Sequence, residues 1–322
     1  MILSLAPMAD ITHLGFRRLV AQFCPPDLFY SEMIHSPSFL SGGHFEKWYA
    51  KTYSDEALIW QLTSNETETV RETIPILLAE GGDGIDLNMG CAAPHIVATG
   101  AGFAWMKKPK CEVKSFIQNA RKAIDDYCKY TNSSQKILSV KMRLPSEKYS
   151  DLHDFCELLL DCGVERITLH PRFQKEKYTR LPHYEYLEKL IEDLCIPVFG
   201  NGDIKSFDDI QKLNEKFPKI AGWMIGREVV KRPWIFLSMN GQKSMKIDAL
   251  NVVIMFIKLL KEYQPEEFHL LRAKRFFNYF CNNFSFAHYI KTKVLNVKSI
   301  DEIVPIFEEY FIELPDDRII IS

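Results

Sequence analysis

The residues best equipped for chemistry stand at the ends of short apolar runs. Lys141 falls in Val140-Lys141-Met142-Arg143, and His170 ends Thr168-Leu169-His170 ahead of Pro171-Arg172. A cation in such a place needs an anionic partner, and an electron-rich ring such as a reduced flavin, negative at its pyrimidine end, meets that need. Gln61, ending another run, can give that ring amide hydrogen bonds. The bland alternative for Lys141 is an ion pair inside the fold with Glu32 or Asp86. A lone histidine is usually structural, and only its position at the end of a run gives His170 weight.

Gly200-Asn201-Gly202-Asp203 and Gly226-Arg227 each end an apolar run and precede a helical pattern. Glycine lets backbone N–H groups approach a phosphate, a helix N-terminus adds positive potential, and Arg227 adds a charge-assisted contact. Either loop alone could be no more than a tight turn; together they favour a phosphate. No GxGxxG follows the first apolar run, which disfavours a Rossmann-type dinucleotide site.

Asn88-Met89-Gly90-Cys91 opens a segment reaching Phe103, with glycines at 90, 100 and 102, so the loop has hinges with which to close over a substrate. A cysteine is more often a small buried hydrophobe, but the spacing from Asn88 favours Cys91 as a proton donor, since an ordinary thiol is mostly protonated at neutral pH. The chain has eight cysteines, no two of them at the two-residue gap of zinc or redox pairs. No metal site and no disulfide framework is expected.

Positioning these groups requires a repeated unit. Strand candidates are Ile2 to Pro7, Leu28 to Ser31, Ala57 to Leu62, Gly84 to Asn88, Ile137 to Arg143, Arg166 to His170, Ile196 to Gly200 and Gly222 to Gly226. Helical periodicity follows nearly all of them: Gly15 to Phe23, Glu66 to Glu80, Lys114 to Tyr130, Leu152 to Cys162, Tyr184 to Asp193, Phe207 to Lys216 and Val229 to Met239. The segment after the second run has no clear pattern. Eight alternating units predict an α/β fold, an eight-fold β/α (TIM) barrel, with a doubly wound sheet as runner-up. The barrel is preferred because Met8, Glu32, Gln61, Asn88, Lys141, Arg143, His170, Asn201 and Arg227 all lie at or just past the C-terminal end of a strand candidate. In a barrel those ends share one mouth.

From Asp248 the pattern is helix without strands: Ala249 to Tyr263, Leu270 to Asn282 and Ile300 to Leu314. The chain thus divides into a barrel domain over 1–240 and an all-helical domain over 241–322. Its 322 residues, 47% hydrophobic and 25% charged, allow a large core, and a formal charge of -2 excludes a uniformly basic coat. That near-neutrality is uneven. Residues 241–300 carry ten Lys/Arg against four Asp/Glu, while 301–322 carry one against seven. Arg272, Lys274, Arg275, Lys291 and Lys293, interleaved with Phe276, Phe277, Tyr279 and Tyr289, read as a phosphate-backbone contact surface on an amphipathic helical scaffold. The acidic tail is expected to face elsewhere. No apolar stretch approaches the roughly 20 residues of a membrane span, and the start lacks the positive region of a secretory signal. A cytoplasmic, reduced monomer is expected.

The chain resembles the tRNA-dihydrouridine synthases, flavin enzymes with an FMN-binding β/α barrel and a C-terminal helical domain that grips tRNA. The similarity runs through Ala6-Pro7-Met8, Gly15-Phe16-Arg17, Ser31-Glu32-Met33, Gln61-Leu62, Asp86-Leu87-Asn88-Met89-Gly90-Cys91, Gly100-Ala101-Gly102, Val140-Lys141-Met142-Arg143-Leu144, Gly200-Asn201-Gly202-Asp203-Ile204, Ile225-Gly226-Arg227 and Pro233-Trp234-Ile235-Phe236. The resemblance implies reduction of a tRNA uridine to dihydrouridine, with FMN reduced by NADPH. It implies FMN contacts from Pro7, Met8, Gln61, Lys141, His170, Asn201, Gly202, Gly226 and Arg227, which Asp203 joins as part of the Gly200-Asn201-Gly202-Asp203 loop, and a general acid in Cys91. It implies uracil contacts from Asn88, Arg143, Arg172 and Tyr178, and it makes tRNA the partner of the basic surface that carries Arg272, Lys274 and Arg275. Cys91 is followed by Ala92-Ala93-Pro94 where the family usually has proline, Pro171 stands where glycine is common, and the segment after Tyr178 differs from the family's usual Ala-Asp-Trp. Alternatives are a flavin barrel acting on a free small molecule, akin to dihydroorotate dehydrogenases, and a tRNA-binding protein without activity.

Overall fold

The computed structural model describes residues 1–53, 56–241 and 244–322. Nine strands form one sheet: β1 (Ile2–Leu5), β2 (Leu28–Tyr30), β3 (Ile34–His35), β4 (Leu58–Thr63), β5 (Gly84–Met89), β6 (Ile137–Arg143), β7 (Arg166–His170), β8 (Val198–Asn201) and β9 (Gly222–Ile225). Their order is β2-β1-β9-β8-β7-β6-β5-β4-β3, and β2 also pairs with β4, which closes the ring. The strand β3 hangs on β4 beyond it. The ring therefore has eight strands, each overlapping one predicted from sequence, and the pairings from β2–β4 round to β8–β9 are parallel. This is the expected β/α barrel.

Period-two alternation sorts the side chains. On β6, Leu138, Val140 and Met142 alternate with Ser139, Lys141 and Arg143; on β7, Ile167 and Leu169 alternate with Arg166, Thr168 and His170. The apolar set faces the helices: Met142 Sδ meets Cys156 Sγ on the helix Tyr149–Asp161 at 3.9 Å. The polar set faces inward and bonds across strands, as Ser139 Oγ does to Asp86 Oδ1 at 2.6 Å. The helix Lys110–Thr131 buries Val113, Phe116, Ile117, Ala120, Ala123, Ile124 and Cys128, a three-and-four spacing, and stops at Asn132 in the left-handed conformation. Each large apolar side chain buried this way contributes about 1.5–3 kcal/mol.

Where a single helix over Val229 to Met239 was expected, there are two short ones, Arg227–Lys231 and Ile235–Met239. Pro233 lies between them, and proline disfavours helical backbone before it and removes a donor. The strand-free C-terminal region is a second correction: β10 (Lys246–Asp248) pairs antiparallel with β11 (Ile319–Ile321). A helix at Ala287–Leu295 was not foreseen. The unpatterned stretch after β2 holds a short helix, Ser36–Leu40, and a 3₁₀ turn, Glu46–Trp48.

By internal contacts the chain forms two compact units. The first comprises 1–4, 27–203 and 212–224; the second comprises 5–26, 204–211 and 225–322. In the second, the helix Leu14–Ala21 packs on Ala249–Tyr263. Its core is aromatic, with Phe256 stacked on Phe276 at 3.9 Å and Phe276 on Phe280 at 5.2 Å.

Candidate active site

In the first unit the strand ends bring together most of the groups expected from sequence. Gln61, on β4, is buried, and its Nε2 donates to Asp86 Oδ2 at 2.7 Å. Its Oε1 accepts from Asn88 Nδ2 at 2.8 Å. Asn88 Oδ1 in turn accepts from the backbone N–H groups of Cys91 at 2.9 Å and Gly90 at 3.2 Å. The second Asn88 N–H points to Met33 Sδ at 3.4 Å. The amide expected to read a base is thus committed to shaping the turn that carries Cys91. That thiol is half-buried and free of any disulfide. Gly102 closes the loop behind it at φ +58, where a Cβ would lie 2.7 Å from the Cys91 carbonyl oxygen, so only glycine fits.

Lys141 is half-buried and donates from Nζ to Asn201 Oδ1 at 3.1 Å. Asn201 Nδ2 donates to Met224 O at 2.7 Å, which fixes the amide with its oxygen toward the lysine. Burial and then the neighbouring Arg143 push the lysine down to about 8. The expected alternative was an ion pair with Glu32 or Asp86; the bond that Lys141 makes is to Asn201, and the Asp86 carboxylate is bonded to Gln61 and Ser139.

His170 and Arg172 form a second knot. Arg172 is fully buried: its Nε donates to Arg180 O at 2.9 Å, its NH2 to Asp203 Oδ2 at 2.5 Å, and its NH1 to His170 Nε2 at 2.8 Å. Tyr178, 54% exposed, lies parallel to the His170 ring with centroids 6.0 Å apart, and the Arg143 and Arg172 guanidinium carbons are 5.7 and 5.8 Å from its ring centre. A Cβ at Gly202, φ +133, would fall 3.0 Å from Pro182 Cγ and 3.3 Å from His170 Cδ2, so glycine lets this loop lie against the imidazole.

In the second unit, Met8 and Gly226 are neighbours, with 3.6 Å from Met8 Sδ to a Cβ built on the glycine. Ala6 N donates to Ile225 O at 2.8 Å, and Met8 N to Thr12 Oγ1 at 3.0 Å, which places Pro7 in a fixed turn. Arg227 is the first residue of its helix, after Gly226. The basic helical residues are dispersed. Arg272 is 2% exposed, its guanidinium over the Phe268 ring at 4.8 Å. Lys274 is half-buried and Arg275 exposed, 3.8 Å from Asp10. The acidic tail turns toward the basic segment: Glu309 holds Lys293 at 3.2 Å, and Asp301 is bonded to Lys261. The expectation that it faces elsewhere is corrected, because opposite charges one helix apart pair when packing brings them near.

These groups fit a flavin. Two nearby cations, Lys141 and Arg143, are bonded to an amide and a backbone carbonyl, the inner amides offer planar donor and acceptor pairs, and glycine keeps the loop at 202 open to close approach. Among the described residues no group of His, Cys, Asp and Glu could hold a metal ion, and no helix is long and apolar enough to cross a membrane.

Fold and site define a β/α barrel with a cationic, amide-lined mouth and one thiol on a shaped turn. The dihydrouridine synthase (Dus) family matches residues 4–298, and the chain belongs to that family. A relative from Staphylococcus aureus, described as a probable tRNA-dihydrouridine synthase, is 27% identical over 97% of this chain and 94% of its own length. One from Aquifex aeolicus with the same description is 24% identical over 95% and 94%. Among solved structures, 2-naphthoyl-CoA reductase bound to 2-naphthoyl-CoA aligns with TM-score 0.54 and 9% identity over 74% of this chain, spanning half of the reductase's length. Morphinone reductase aligns at TM-score 0.50 and 9% identity over 75% and 86% of the two chains. These two likenesses speak for the barrel fold alone.

Proposed function

We propose that the protein reduces uridine in tRNA to 5,6-dihydrouridine with FMN as resident cofactor and NADPH as reductant. The observation that carries the reading is the bond from Cys91 N–H to Asn88 Oδ1, which holds a thiol on a fixed turn beside the Lys141 end of the barrel. In the first unit Gln61, Lys141, His170, Asn201, Gly202 and Asp203 would hold the flavin. In the second unit, Pro7, Met8, Gly226 and Arg227 would form a loop pair of the kind that takes a phosphate.

FMN, when bound, supplies the hydride that goes to the uracil carbon remote from the conjugated carbonyl, and NADPH restores it. The chain's part is the proton. Cys91 donates it from Sγ to the adjacent ring carbon, and the thiolate left behind is reprotonated from solvent, so the base gains one hydride and one proton. Negative charge builds on the carbonyl oxygen in between, and a donor such as Arg143 lowers that barrier. Tyr178 gives the extruded base an aromatic face, which offsets the few kcal/mol of unstacking. Asn88 contributes by fixing the Cys91 turn, and Arg172 by holding His170 and Tyr178. We assign half-buried Lys274 and exposed Arg275 of the second unit to the tRNA backbone.

The test is turnover of unmodified tRNA by the purified protein with FMN and NADPH. Dihydrouridine should form, and Cys91→Ala should slow it by roughly 10²–10⁴-fold with FMN still bound; an unchanged rate would remove Cys91 from the acid role.

A further inference from the structure

We propose that Asp86, which reaches neither thiol nor solvent, is a positioning residue that sets the Cys91 turn through two side-chain amides. Asp86 is fully buried, and its oxygens accept from Ser139 Oγ at 2.6 Å and Gln61 Nε2 at 2.7 Å. An ionised carboxylate can only accept, so the NH₂ end of Gln61 must face it. Burial pushes this carboxyl up to about 6, against the bonds from Ser139 and Gln61, which leaves it ionised at pH 7.5.

The Gln61 oxygen is then turned to Asn88 Nδ2, which it meets at 2.8 Å. That commits the Asn88 oxygen to the turn, where it takes the N–H groups of Cys91 and Gly90. Each amide has one donor end and one acceptor end, so rotating either by half a turn sets donor against donor or acceptor against acceptor. The backbone bond from Gln61 N to Ser31 Oγ places the strand but leaves the side-chain amide free to rotate. Among the side chains of the relay the carboxylate is the one whose polarity cannot reverse, and together with the N–H donors of Gly90 and Cys91 at the far end it holds both amides in a single orientation.

The inference rests on Cys91 being the working thiol, but its test reads the turn itself. Hydrogen exchange of the peptide spanning residues 88–93 is compared in the full-length protein, Asp86→Ala and Gln61→Met at pH 7.5, together with iodoacetamide labelling of Cys91. Exposed Cys111 and Cys195 serve as internal standards. Losing an oriented acceptor should speed exchange at Gly90 and Cys91 by about tenfold. Cys91 labelling should change while Cys111 and Cys195 stay constant, and exchange in the helix Lys110–Thr131 should not move. Unchanged protection at residues 90–91 in either folded variant would overturn the proposal, as would faster exchange spread over the whole barrel. Full turnover by Cys91→Ala would remove the acid role yet leave this relay standing.

Discussion

The guanidinium of Arg172 donates to Nε2 of His170 at 2.8 Å, which settles the state of the imidazole. Arginine keeps its protons, so Nε2 must be the acceptor and the ring proton must sit on Nδ1. Nitrogen-15 correlation spectra should show His170 as a neutral Nδ1–H tautomer. Arg172→Met should remove the donor that fixes the tautomer and the ion pair to Asp203. The expected loss of stability is on the order of 2–3 kcal/mol, below that of a fully enclosed pair because the Asp203 side chain is 20% exposed. An Nε2–H tautomer in the native protein would refute this reading of the knot.

Lys141 gives FMN binding a pH dependence with a definite sign. Burial and Arg143 lower it to about 8, so in the free protein it sheds its charge as pH rises through that value. An anionic ligand favours the charged form, so binding takes up a proton and weakens above about pH 8. Fluorescence titration with FMN from pH 6 to 10 should show affinity falling above pH 8, and Lys141→Met should bind weakly with no such break. A flat profile in the native protein would mean that Lys141 does not face the anion.

The loop from 171 to 183 carries Tyr178 and is latched by Glu176, which accepts from His183 Nε2 at 2.9 Å and from Phe173 N at 2.8 Å. The bond to Glu176 raises His183 above its ordinary 6.5, and Glu185, 3.3 Å from Nδ1, adds to this against the effect of burial. Burial would raise Glu176 from 4.5, but His183 and the Phe173 N–H outweigh it and hold it lower. The histidine's contribution is complete below 6.5 and lost as pH rises through its raised value; the glutamate's is complete above 4.5 and lost as pH falls through its lowered one. The latch is therefore firmest between those limits. Hydrogen exchange of residues 173–182 should be slowest there, and His183→Ala should abolish the dependence on the alkaline side.

Charge reversal at Lys274 and Arg275 should raise the KM for tRNA and reduce its salt dependence, with kcat nearly unchanged. Arg272 is different: it is buried, so Arg272→Glu should lower the melting temperature. A native melting point for that variant would contradict its placement.

The barrel was legible because its strands and helices alternate in short local patterns, each set by a few neighbours in sequence. What escaped depends on distant partners. The strands β10 and β11 are three residues each and pair Lys246 with Ile321, so neither shows itself until the other is beside it. Pro233 did mark a break, but the apolar spacing across it reads as one helix. At the site, the strand-end rule located Gln61, Asn88, Cys91, Lys141 and His170. Asp86 was legible only as an alternative ion-pair partner of Lys141, because its actual partners Gln61 and Ser139 become neighbours through sheet register. Nor could the sequence pattern separate buried Arg272 from exposed Arg275 on the same helix, since the long cationic side chain at 272 is enclosed by packing.

The most direct test of the central claim is mass spectrometry of an unmodified tRNA incubated with the purified protein, FMN and NADPH. One or more specific uridines should gain two hydrogen atoms, and the gain should fall by roughly 10²–10⁴-fold with Cys91→Ala. An FMN-loaded protein that binds tRNA and oxidises NADPH, yet leaves every uridine unreduced, would contradict the account.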